Sequence, residues 1–473
     1  MADRLLNQRF MDTNTLLPAG QWSQDEFGFA ELGDPRRTKR LVQVGAMLAA
    51  NPGGTLPQAF PDWAELKGAY RLLDNPAVRY EQVLRPHLER TRLACCQAGE
   101  YLIIEDTTDL DYSGHPCTEG LGVIGDGRGK GFELHSALAV RVAGWTLEQR
   151  PEGVVVGLFG QQCRCPVPVP KGEQRREVYQ RRHKSEWWAE AFLEAGGPPE
   201  GSRWIYVADR ESDAYEPIQI CQEQGVDFVI RGYHDRRLAD EAGRLRAALS
   251  KAGVVGQATV EVRARGSEPA RTAVVEMSAL RVDLDGPWRP SGWQAPLRGV
   301  WVLEVREKDA PEGVKEPLHW ILLTSLPCET LTAARRVVGY YAARWWVEEY
   351  HKALKSGTGV EESQLEREGR LRVLIAVLAV VAVRLLNTKL LARSRPAGGE
   401  AVESFGPQAL ELLERRYGRP KEGWTNQSVL IATARLGGFL ARKHDGMPGW
   451  QTIWRGWHRL MWMCEGLDLF SRG

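Results

Sequence analysis

The spacing of apolar residues divides the chain into helical and strand-forming regions. Between about residues 22 and 95, apolar side chains recur at helical spacing, as at Leu41, Val44 and Leu48 after a candidate N-cap at Asp34. From residue 101 the pattern changes to short β-branched runs such as YLIIE, HSALAVRV and RWIYVA, with helix-like stretches between them. Strands mixed with intervening helices are typical of α/β folds.

Two further regions complete the predicted organisation. Residues from about 235 to 330 contain mainly strand-like runs, which indicates a β-rich insertion. We then predict one long helix ending at Gly357 and an apolar core helix around Val373 to Leu391, whose longest apolar run is too short to favour a membrane span. The predicted parts are a helical N-terminal domain (1–95), an α/β domain (96–395) and a helical C-terminal region (396–473).

Composition excludes some classes of protein but favours no partner. Of the 473 residues, 43% are hydrophobic and 26% are charged, so the chain has enough apolar material for a folded core. The 62 Lys and Arg residues balance the 61 Asp and Glu residues, so any binding site for a polyanion must be local. With no targeting signal recognisable at the N-terminus, we expect a cytoplasmic protein with no membrane partner.

Two aspartates follow apolar strand-forming runs. Asp106 follows LIIE and Asp209 follows RWIYVA, and sheet-based active sites lie where strands end. Each residue has a structural alternative: Asp106 could form an Asx turn with Thr107 or Thr108, and Asp209 could cap the next helix. Each aspartate taken alone leaves both interpretations open.

The long helix predicted after the insertion has one charged face. At about 100° per residue, the apolar Trp346, Tyr350 and Leu354 fall on the opposite side. The charged face consists of Tyr341, Arg344, Glu348, His351, Lys352 and Lys355. The alternative is a solvated face with an Arg344–Glu348 pair, worth roughly a few tenths of a kcal/mol.

Asp106, Asp209 and Glu348 together are the carboxylates that a two-metal phosphoryl-transfer site requires. Divalent cations about 3.5–4 Å apart need oxygen ligands from several elements. Nearby Arg and Lys side chains can hold phosphates. The three residues are far apart in the chain, so their convergence depends on the fold.

Three segments resemble the DDE motifs of bacterial cut-and-paste transposases of the insertion-sequence-four family, transposon-five type. They are EDTTDLDYS, VADRESDAYE and YYAARWWVEEYHKALKSG, the last of which contains the family's Tyr-x-x-Arg-x-x-x-Glu-x-x-x-x-x-x-Lys signature. LGDPRRTKRL and KGAYRLLDNP resemble the region of the family that recognises transposon ends. The resemblance covers roughly residues 22 to 470, and residues 117–184 match poorly.

This resemblance implies a ribonuclease H-like core that nicks DNA, forms and opens a hairpin, and joins the freed end to a target. It implies that Asp106, Asp209 and Glu348 hold two Mg²⁺ ions, for which Mn²⁺ can substitute. Trp320 would stack a flipped base, although core packing is the alternative. The DNA-binding residues that we predict are Tyr341, Arg344, Lys355, Trp320, Arg37, Arg40, Arg71, Arg210 and Lys352.

The implied partners are double-stranded DNA, as inverted transposon ends and as target, and a second copy of the chain in a homodimer. When bound to DNA, such a protein would be associated with the bacterial nucleoid. An aromatic stripe in the last helical region is either a partner contact or internal packing; it comprises Trp450, Trp454, Trp457 and Met461. The basic segment 171–184 could contact the DNA backbone or form a solvated helix.

Rival functions are a metal-dependent nuclease that does not join DNA and an inactive protein that occupies transposon ends. A structural scaffold with no DNA role would leave the charged face unexplained.

Overall fold

The fold is built around one large mixed sheet with helices against it, which confirms the predicted α/β class. The computed structural model describes residues 17–60, 62–167, 187–239, 243–262, 270–289, 291–311, 314, 316–391, 407–442 and 444–471. The basic segment predicted at 171–184 lies outside the described residues, so its two interpretations both stay open.

Helices in the N-terminal part of the chain begin at side chains that cap them. Asp34 accepts a hydrogen bond from the backbone N–H of Arg36 at 2.9 Å, and Pro35 is the first residue of the helix. Asp62 accepts one from the backbone N–H of Ala64 at 2.7 Å. The helices described before the first strand are α1 (Ala19–Phe27), α2 (Pro35–Ala50), α3 (Leu56–Ala59), α4 (Trp63–Leu73) and α5 (Tyr80–Cys95).

The first half of the sheet has the strand order of the ribonuclease H-like core that the resemblance implies. Its strands are β1 (Gly99–Asp111), β2 (Gly122–Ile124), β3 (Gly129–Trp145), β4 (Pro151–Arg164), β5 (Ser202–Ala208) and β6 (Asp227–Arg231). Strand β3 pairs antiparallel with β1, β4 and the short β2. Strands β5 and β6 then add in parallel on the other side of β1, giving the order β4-β3-β1-β5-β6.

The strands of the β-rich stretch predicted at 235–330 continue this sheet instead of forming a separate layer. They are β7 (Val254–Val262), β8 (Arg271–Leu284), β9 (Trp288–Arg289), β10 (Gly292–Trp293), β11 (Leu297–Glu307) and β12 (His319–Thr324). Strand β12 pairs antiparallel with β6, and β11, β8 and β7 follow in that order to complete a ten-stranded sheet. Among the described strands, β9 and β10 pair apart from it, in a two-stranded sheet.

The remaining helices pack against the sheet or follow it. They are α6 (Glu190–Ala195), α7 (Tyr215–Gln224), α8 (Leu245–Leu249), α9 (Leu331–Ala342), α10 (Trp345–Lys352), α11 (Glu368–Leu391), α12 (Pro407–Tyr417), α13 (Asn426–Leu436) and α14 (Trp450–Ser471). The prediction of one long helix ending at Gly357 was wrong. The structure divides that stretch into α9, α10 and a π-helical turn over Ala353–Gly357.

Helix α11 is a core helix, as the sequence predicts. By length and composition alone it is long and apolar enough to cross a membrane. However, 83% of its most apolar 18-residue segment is buried inside the protein. It packs against α5, β4 and the π-helical turn. Its side chains join one hydrophobic cluster with those of the N-terminal helices and one face of the sheet, so these parts share a core.

The aromatic stripe of α14 packs partly within the chain. Trp457 is buried and Met461 is half-buried, and both pack against the main core, so the internal-packing alternative describes these two side chains. The side chains of Trp450 and Trp454 lie outside the described residues. On the same helix, the sequence pattern did not single out Trp462, whose side chain is exposed.

A buried polar network fastens the N-terminal helices to the sheet. Glu26 on α1 contacts both His87 Nδ1, at 2.7 Å, and the guanidinium of Arg90 on α5. The backbone N–H of Leu158 on β4 donates to His87 Nε2 at 3.0 Å, so Nδ1 carries the ring proton and donates to Glu26. Burial alone would raise the pKa of Glu26, but Arg90 and His87 outweigh it and hold this pKa below its ordinary value.

We predict that Glu26→Gln lowers the free energy of unfolding by about 3 kcal/mol near neutral pH, because it removes the charge from a buried ion pair. The folded-state pKa of Glu26 is below its ordinary value of 4.5, so the stabilisation is present above that pH and is lost as the pH falls through the folded-state pKa. Urea unfolding at several pH values measures the difference in free energy of unfolding between wild type and Glu26→Gln. This difference should become smaller at acid pH.

Glu89→Gln is the matched control on α5. Its carboxylate pairs with Arg85 at 2.7 Å, but both side chains are more than half exposed, so the change should cost under about 1 kcal/mol. Equal losses for the two variants would contradict the role given to the Glu26 network.

Candidate active site

Asp106 and Asp209 are neighbours across the two central parallel strands. The last residue pair in the parallel ladder between β1 and β5 is Glu105 with Ala208, and the two aspartates are the next residues on their strands. Adjacent strands lie about 4.8 Å apart, so this register brings the two side chains to one edge of the sheet. That edge is the carboxyl end of the parallel strands, where ligands bind in open α/β sheets.

The local surroundings of Asp106 differ from the prediction. We expected a strand that ends at Asp106, but β1 continues to Asp111 because its antiparallel pairing with β3 extends that far. Only the parallel ladder stops at this point. Asp106 Oδ1 accepts a hydrogen bond from the backbone N–H of Thr107 at 3.0 Å, which is not the Asx turn considered as the alternative.

Asp209 lies directly after β5, as predicted. One of its carboxylate oxygens accepts a hydrogen bond from the backbone N–H of Glu211 at 2.8 Å and caps a 3₁₀ turn over Arg210–Ser212. The helix that it was considered to cap, α7, has Ala214 at its N-cap instead. Capping uses one oxygen, so a carboxylate oxygen remains for a ligand.

Glu348 reaches the same edge from α10. Between α9 and α10 the backbone N–H of Arg344 donates to Tyr341 O, and that of Trp346 donates to Ala343 O, both over three residues. Such bonds are tighter than those of an α-helix and break the long helix that we predicted. The break places Arg344 at the N-cap of α10, one turn before Glu348.

The Arg344 guanidinium joins two of the three predicted carboxylates. Its Nη1 lies 3.0 Å from Asp106 Oδ2, and its Nη2 hydrogen-bonds Glu348 Oε1. Asp209 also acts on both Asp106 and Arg344 electrostatically. The predicted alternative, a solvated Arg344–Glu348 pair, therefore describes only part of the arrangement, because the Arg344 side chain is 21% exposed and that of Asp106 is 18% exposed.

The site is short of positive charge despite this arginine. Burial raises the pKa of Asp106 to about 6, with Asp209 and Glu348 adding to the rise and Arg344 opposing it. Carboxylates are hard oxygen ligands, and a buried carboxylate with a raised pKa gains from a nearby cation. The donor set therefore fits divalent metal ions. Within the described part of the chain no three His, Cys, Asp or Glu side chains are already arranged as a metal site, and Arg344 lies between Asp106 and Glu348.

Two predicted aromatic residues lie together beside the triad. The rings of Trp320, on β12, and Tyr341, on α9, meet edge to face with centroids 5.0 Å apart. Trp320 is half-buried against the core, so the packing alternative holds for part of its ring. Tyr341 is buried, and Arg231 and Arg344 lower its pKa against the larger rise that burial causes.

The charged face predicted for the long helix is only partly present. Lys355 lies in the π-helical turn and is 3.4 Å from Glu361 Oε1. Lys352 pairs with Glu349 at 3.3 Å instead of joining the Arg344 cluster. His351 was wrongly placed on a charged face, because it is buried and burial lowers its pKa to about 3, so the ring is neutral.

The arginines predicted to contact transposon ends lie on α2 and α4. The Arg37 guanidinium donates to Leu32 O at 2.8 Å. Arg40 packs against Gly68 of α4. A Cβ added at Gly68 would lie 2.8 Å from the guanidinium carbon of Arg40. Arg71 is an exposed residue in the last turn of α4. The structure thus brings Arg40 to α4, which also carries Arg71.

Sequence reasoning missed Arg231 and Glu105. Arg231 ends β6 and acts electrostatically on Tyr341, and its position after the apolar run DFVI is the signal that could have identified it. Glu105 is buried on the opposite face of β1 from Asp106 and accepts hydrogen bonds from Ala189 N at 2.8 Å and Tyr206 Oη at 3.0 Å. These partners are distant in the chain, so no sequence pattern could indicate them.

Comparison with known proteins identifies two parts of the chain. Residues 19–78 match the family model described as transposase DNA-binding, and residues 197–384 match the model described as transposase DDE domain. The chain carries a transposase DNA-binding domain and a DDE domain. This pair indicates DNA transposase activity with DNA as a partner, and DDE domains generally use divalent metal ions.

A solved structure similar to the chain is the cryo-EM structure of a piggyBac transposase synaptic complex with hairpin DNA. The two chains are 9% identical, the similarity covers 82% of this chain and 74% of that chain, and the TM-score is 0.36. The family models are the stronger match. The DDE match contains Asp209 and Glu348 but begins after Asp106. The pairing of β1 with β5 brings Asp106 to the same sheet edge as Asp209.

We predict that Asp106→Asn stabilises the DDE domain when divalent metal is removed with EDTA. The folded-state pKa of Asp106 is raised from 3.8 to about 6, so its contribution to stability is full below the lower value and is lost as the pH rises through about 6. Above that pH the variant should be more stable by up to about 3 kcal/mol, from about 1.4 kcal/mol per pKa unit. Unfolding in EDTA across this pH range measures the difference.

Asp126→Asn is the control, since the side chain of Asp126 is 72% exposed and lies 3.8 Å from Arg128. It should show no comparable pH dependence. A wild-type protein that stays more stable than Asp106→Asn both above and below pH 6 would contradict the account of Asp106.

Proposed function

We propose that the protein is a cut-and-paste DNA transposase of the insertion-sequence-four, transposon-five type. The observation that carries the proposal is the Arg344 guanidinium bound to both Asp106 and Glu348 at the sheet edge where Asp209 follows β5. Asp106, Asp209 and Glu348 would hold two Mg²⁺ ions, or Mn²⁺ in their place. When bound, such ions activate the attacking oxygen and stabilise the leaving oxygen of an in-line displacement.

The proposed reaction is a series of phosphodiester exchanges. Water attacks the phosphorus at the end of the element and breaks the P–O3′ bond, leaving a free 3′-OH. That hydroxyl attacks the opposite strand to form a hairpin, a second water reopens the hairpin, and the same 3′-OH then attacks a phosphorus of target DNA. Each step forms one P–O bond and breaks another, so no oxidant or further co-reactant is required.

Cationic and aromatic residues of the chain would hold the DNA during these steps. Arg344 and Lys355 carry positive charge beside the carboxylates and would bind phosphates next to the cleaved bond, and Tyr341 would donate its hydroxyl to one. The free part of the Trp320 ring would stack a flipped base. The residues proposed for further DNA contacts are Arg210, Lys352, Arg37, Arg40 and Arg71.

A homodimer is part of the proposal. Two DNA ends must be brought together before both can be joined to a target. The C-terminal helices offer a surface for this contact: Trp462 on α14 is 67% exposed, and Arg459 and Tyr417 lie beside it around an open groove. Exposed aromatic and arginine side chains are enriched at protein interfaces.

We predict that Asp106→Ala, Asp209→Ala and Glu348→Ala each lower DNA cleavage by at least about a hundredfold, since each removes a charged group at the reacting phosphate. The substrate is a fragment carrying the inverted ends of the protein's own element, incubated with Mg²⁺ or with EDTA and resolved on denaturing gels. Wild-type protein should give metal-dependent hairpins followed by blunt ends. Gel-shift binding to the ends should be largely retained in all three variants.

Asp109→Asn, on the same strand as Asp106, is the matched control. Its carboxylate accepts a hydrogen bond from Gly125 N at 3.1 Å and has no contact with Arg344 among the described residues, so cleavage should stay near the wild-type rate. Near wild-type cleavage by a triad variant would remove that residue from the site. Cleavage without joining of pre-cleaved ends to a target plasmid would instead identify a nuclease, and binding with no cleavage would identify an inactive end-binding protein.

A further inference from the structure

A second charged cleft lies beside Asp209, at the carboxyl ends of β5 and β6. We call it the arginine cleft; it has a volume of about 290 Å³ and is lined by Arg210, Arg231, Tyr233, Arg246, Arg306 and His319, among others. Arg210 is the residue after Asp209, and Arg231 acts electrostatically on Tyr341. The arginine cleft therefore adjoins the candidate active site through Arg210 and Arg231.

The charge of the arginine cleft is strongly positive. Arg306 and His319 share one carboxylate, Glu304, at 2.7 and 2.8 Å. Arg210, Arg231 and Arg246 form no ion pair with a carboxylate within the described part of the chain; Arg231 and Arg246 donate instead to backbone carbonyl oxygens at 3.4 Å. A cleft with four guanidinium groups and one carboxylate selects an anion and disfavours a metal ion or a cationic ligand.

An ordered loop presents an aromatic ring at this cleft. The buried carboxylate of Asp213 accepts hydrogen bonds from the backbone N–H groups of Tyr233, at 2.6 Å, and His234, at 2.8 Å. It also forms a buried ion pair with Arg236. With its backbone fixed in this way, Tyr233 is 60% exposed, although its ring also meets that of His234 edge to face. An exposed ring on a fixed loop is a stacking surface for a planar group.

We propose that the arginine cleft binds an unpaired stretch of the DNA strand that leaves the active site past Asp209. The arginines would contact its phosphates, and Tyr233 would stack on one base. Unpaired DNA is favoured over duplex because bases inside a duplex are already stacked and cannot cover the Tyr233 ring. This inference rests on the proposed function, since it assumes that the substrate of the neighbouring triad is DNA.

The first test removes the charge of Arg246 and Arg306, the two cleft arginines that are farthest in sequence from the triad residues. Full-length protein in EDTA is titrated with a short fluorescein-labelled single strand of mixed sequence, and with the duplex of the same sequence, at increasing salt. Arg246→Gln combined with Arg306→Gln should reduce the slope of log K against log salt for the single strand by about 1.4, from about 0.7 per phosphate contact. Arg298→Gln, at a side chain that is 77% exposed on β11 and pairs with Asp283, should leave it unchanged.

The second test separates stacking from charge. Tyr233→Ala should weaken binding of the single strand by about tenfold, while Tyr233→Phe, which keeps the ring, should bind like wild type. Neither change should alter binding of the duplex. A single-strand salt slope unaffected by the arginine changes would overturn the proposal, and equal losses on duplex and single strand with no effect of Tyr233→Ala would overturn the assignment to unpaired DNA.

These outcomes are separable from those of the proposed function. Binding is measured in EDTA, and the triad residues are unchanged in every cleft variant. If the cleft variants bind like wild type while triad variants lose cleavage, only the arginine cleft is refuted. If triad variants cleave normally, the proposed function fails whatever the cleft binds.

Discussion

The balance of charge around Arg344 is the interaction on which the candidate site depends. Asp106 lies near Asp209 and Glu348, and its own burial together with repulsion from these two carboxylates disfavours its ionised form. In this protein the guanidinium of Arg344 binds Asp106 and Glu348, and Asp106 still has a raised pKa. The site is therefore built to take up further positive charge, which is the physical requirement of a metal-dependent phosphoryl-transfer enzyme.

Two features of the backbone create this arrangement. The register between β1 and β5 makes Asp106 and Asp209 the first residues beyond the parallel ladder. The tight turns between α9 and α10 place Arg344 at the start of a new helix, with Glu348 one turn later. In a continuous helix, Arg344 and Glu348 would follow the axis of α9. The break allows α10 to approach the sheet edge along a different axis.

The DNA-binding and DDE domains share one hydrophobic core. Glu26, His87 and Leu158 connect α1 to the sheet through α5. Half-buried Arg384 on α11 donates to Leu17 O at 2.7 Å and lies over the Trp22 ring. The proposed transposase would need such a rigid connection to cut at a fixed distance from the sequence that it recognises.

Much of this architecture could be predicted from the sequence, and the parts that could not have a common physical cause. Apolar periodicity indicated the α/β class, the capped helix at Asp34 and the core helix α11, because these depend on local spacing. The continuation of the sheet from β6 to β12, the break before Arg344 and the burial of His351 were missed. Each is decided by partners far away in the chain, which compete with local preference.

The same distinction applies to the candidate site. The residue types and motif of the triad are readable in the sequence, whereas its electrostatics are not. That Lys352 pairs with Glu349, and that Arg231 reaches Tyr341, follows from packing between elements. A helical projection treats every polar residue on a face as equivalent and cannot separate these side chains from those that meet at the sheet edge.

Direct titration of the protein with Mn²⁺, followed by electron paramagnetic resonance, tests the central claim most directly. The account predicts saturable binding to the wild-type protein that is weakened at least about tenfold by Asp106→Asn, Asp209→Asn or Glu348→Gln, and left intact by Glu349→Gln, whose carboxylate pairs with Lys389. Unchanged Mn²⁺ binding in all three triad variants would contradict the claim that these carboxylates form one cation site.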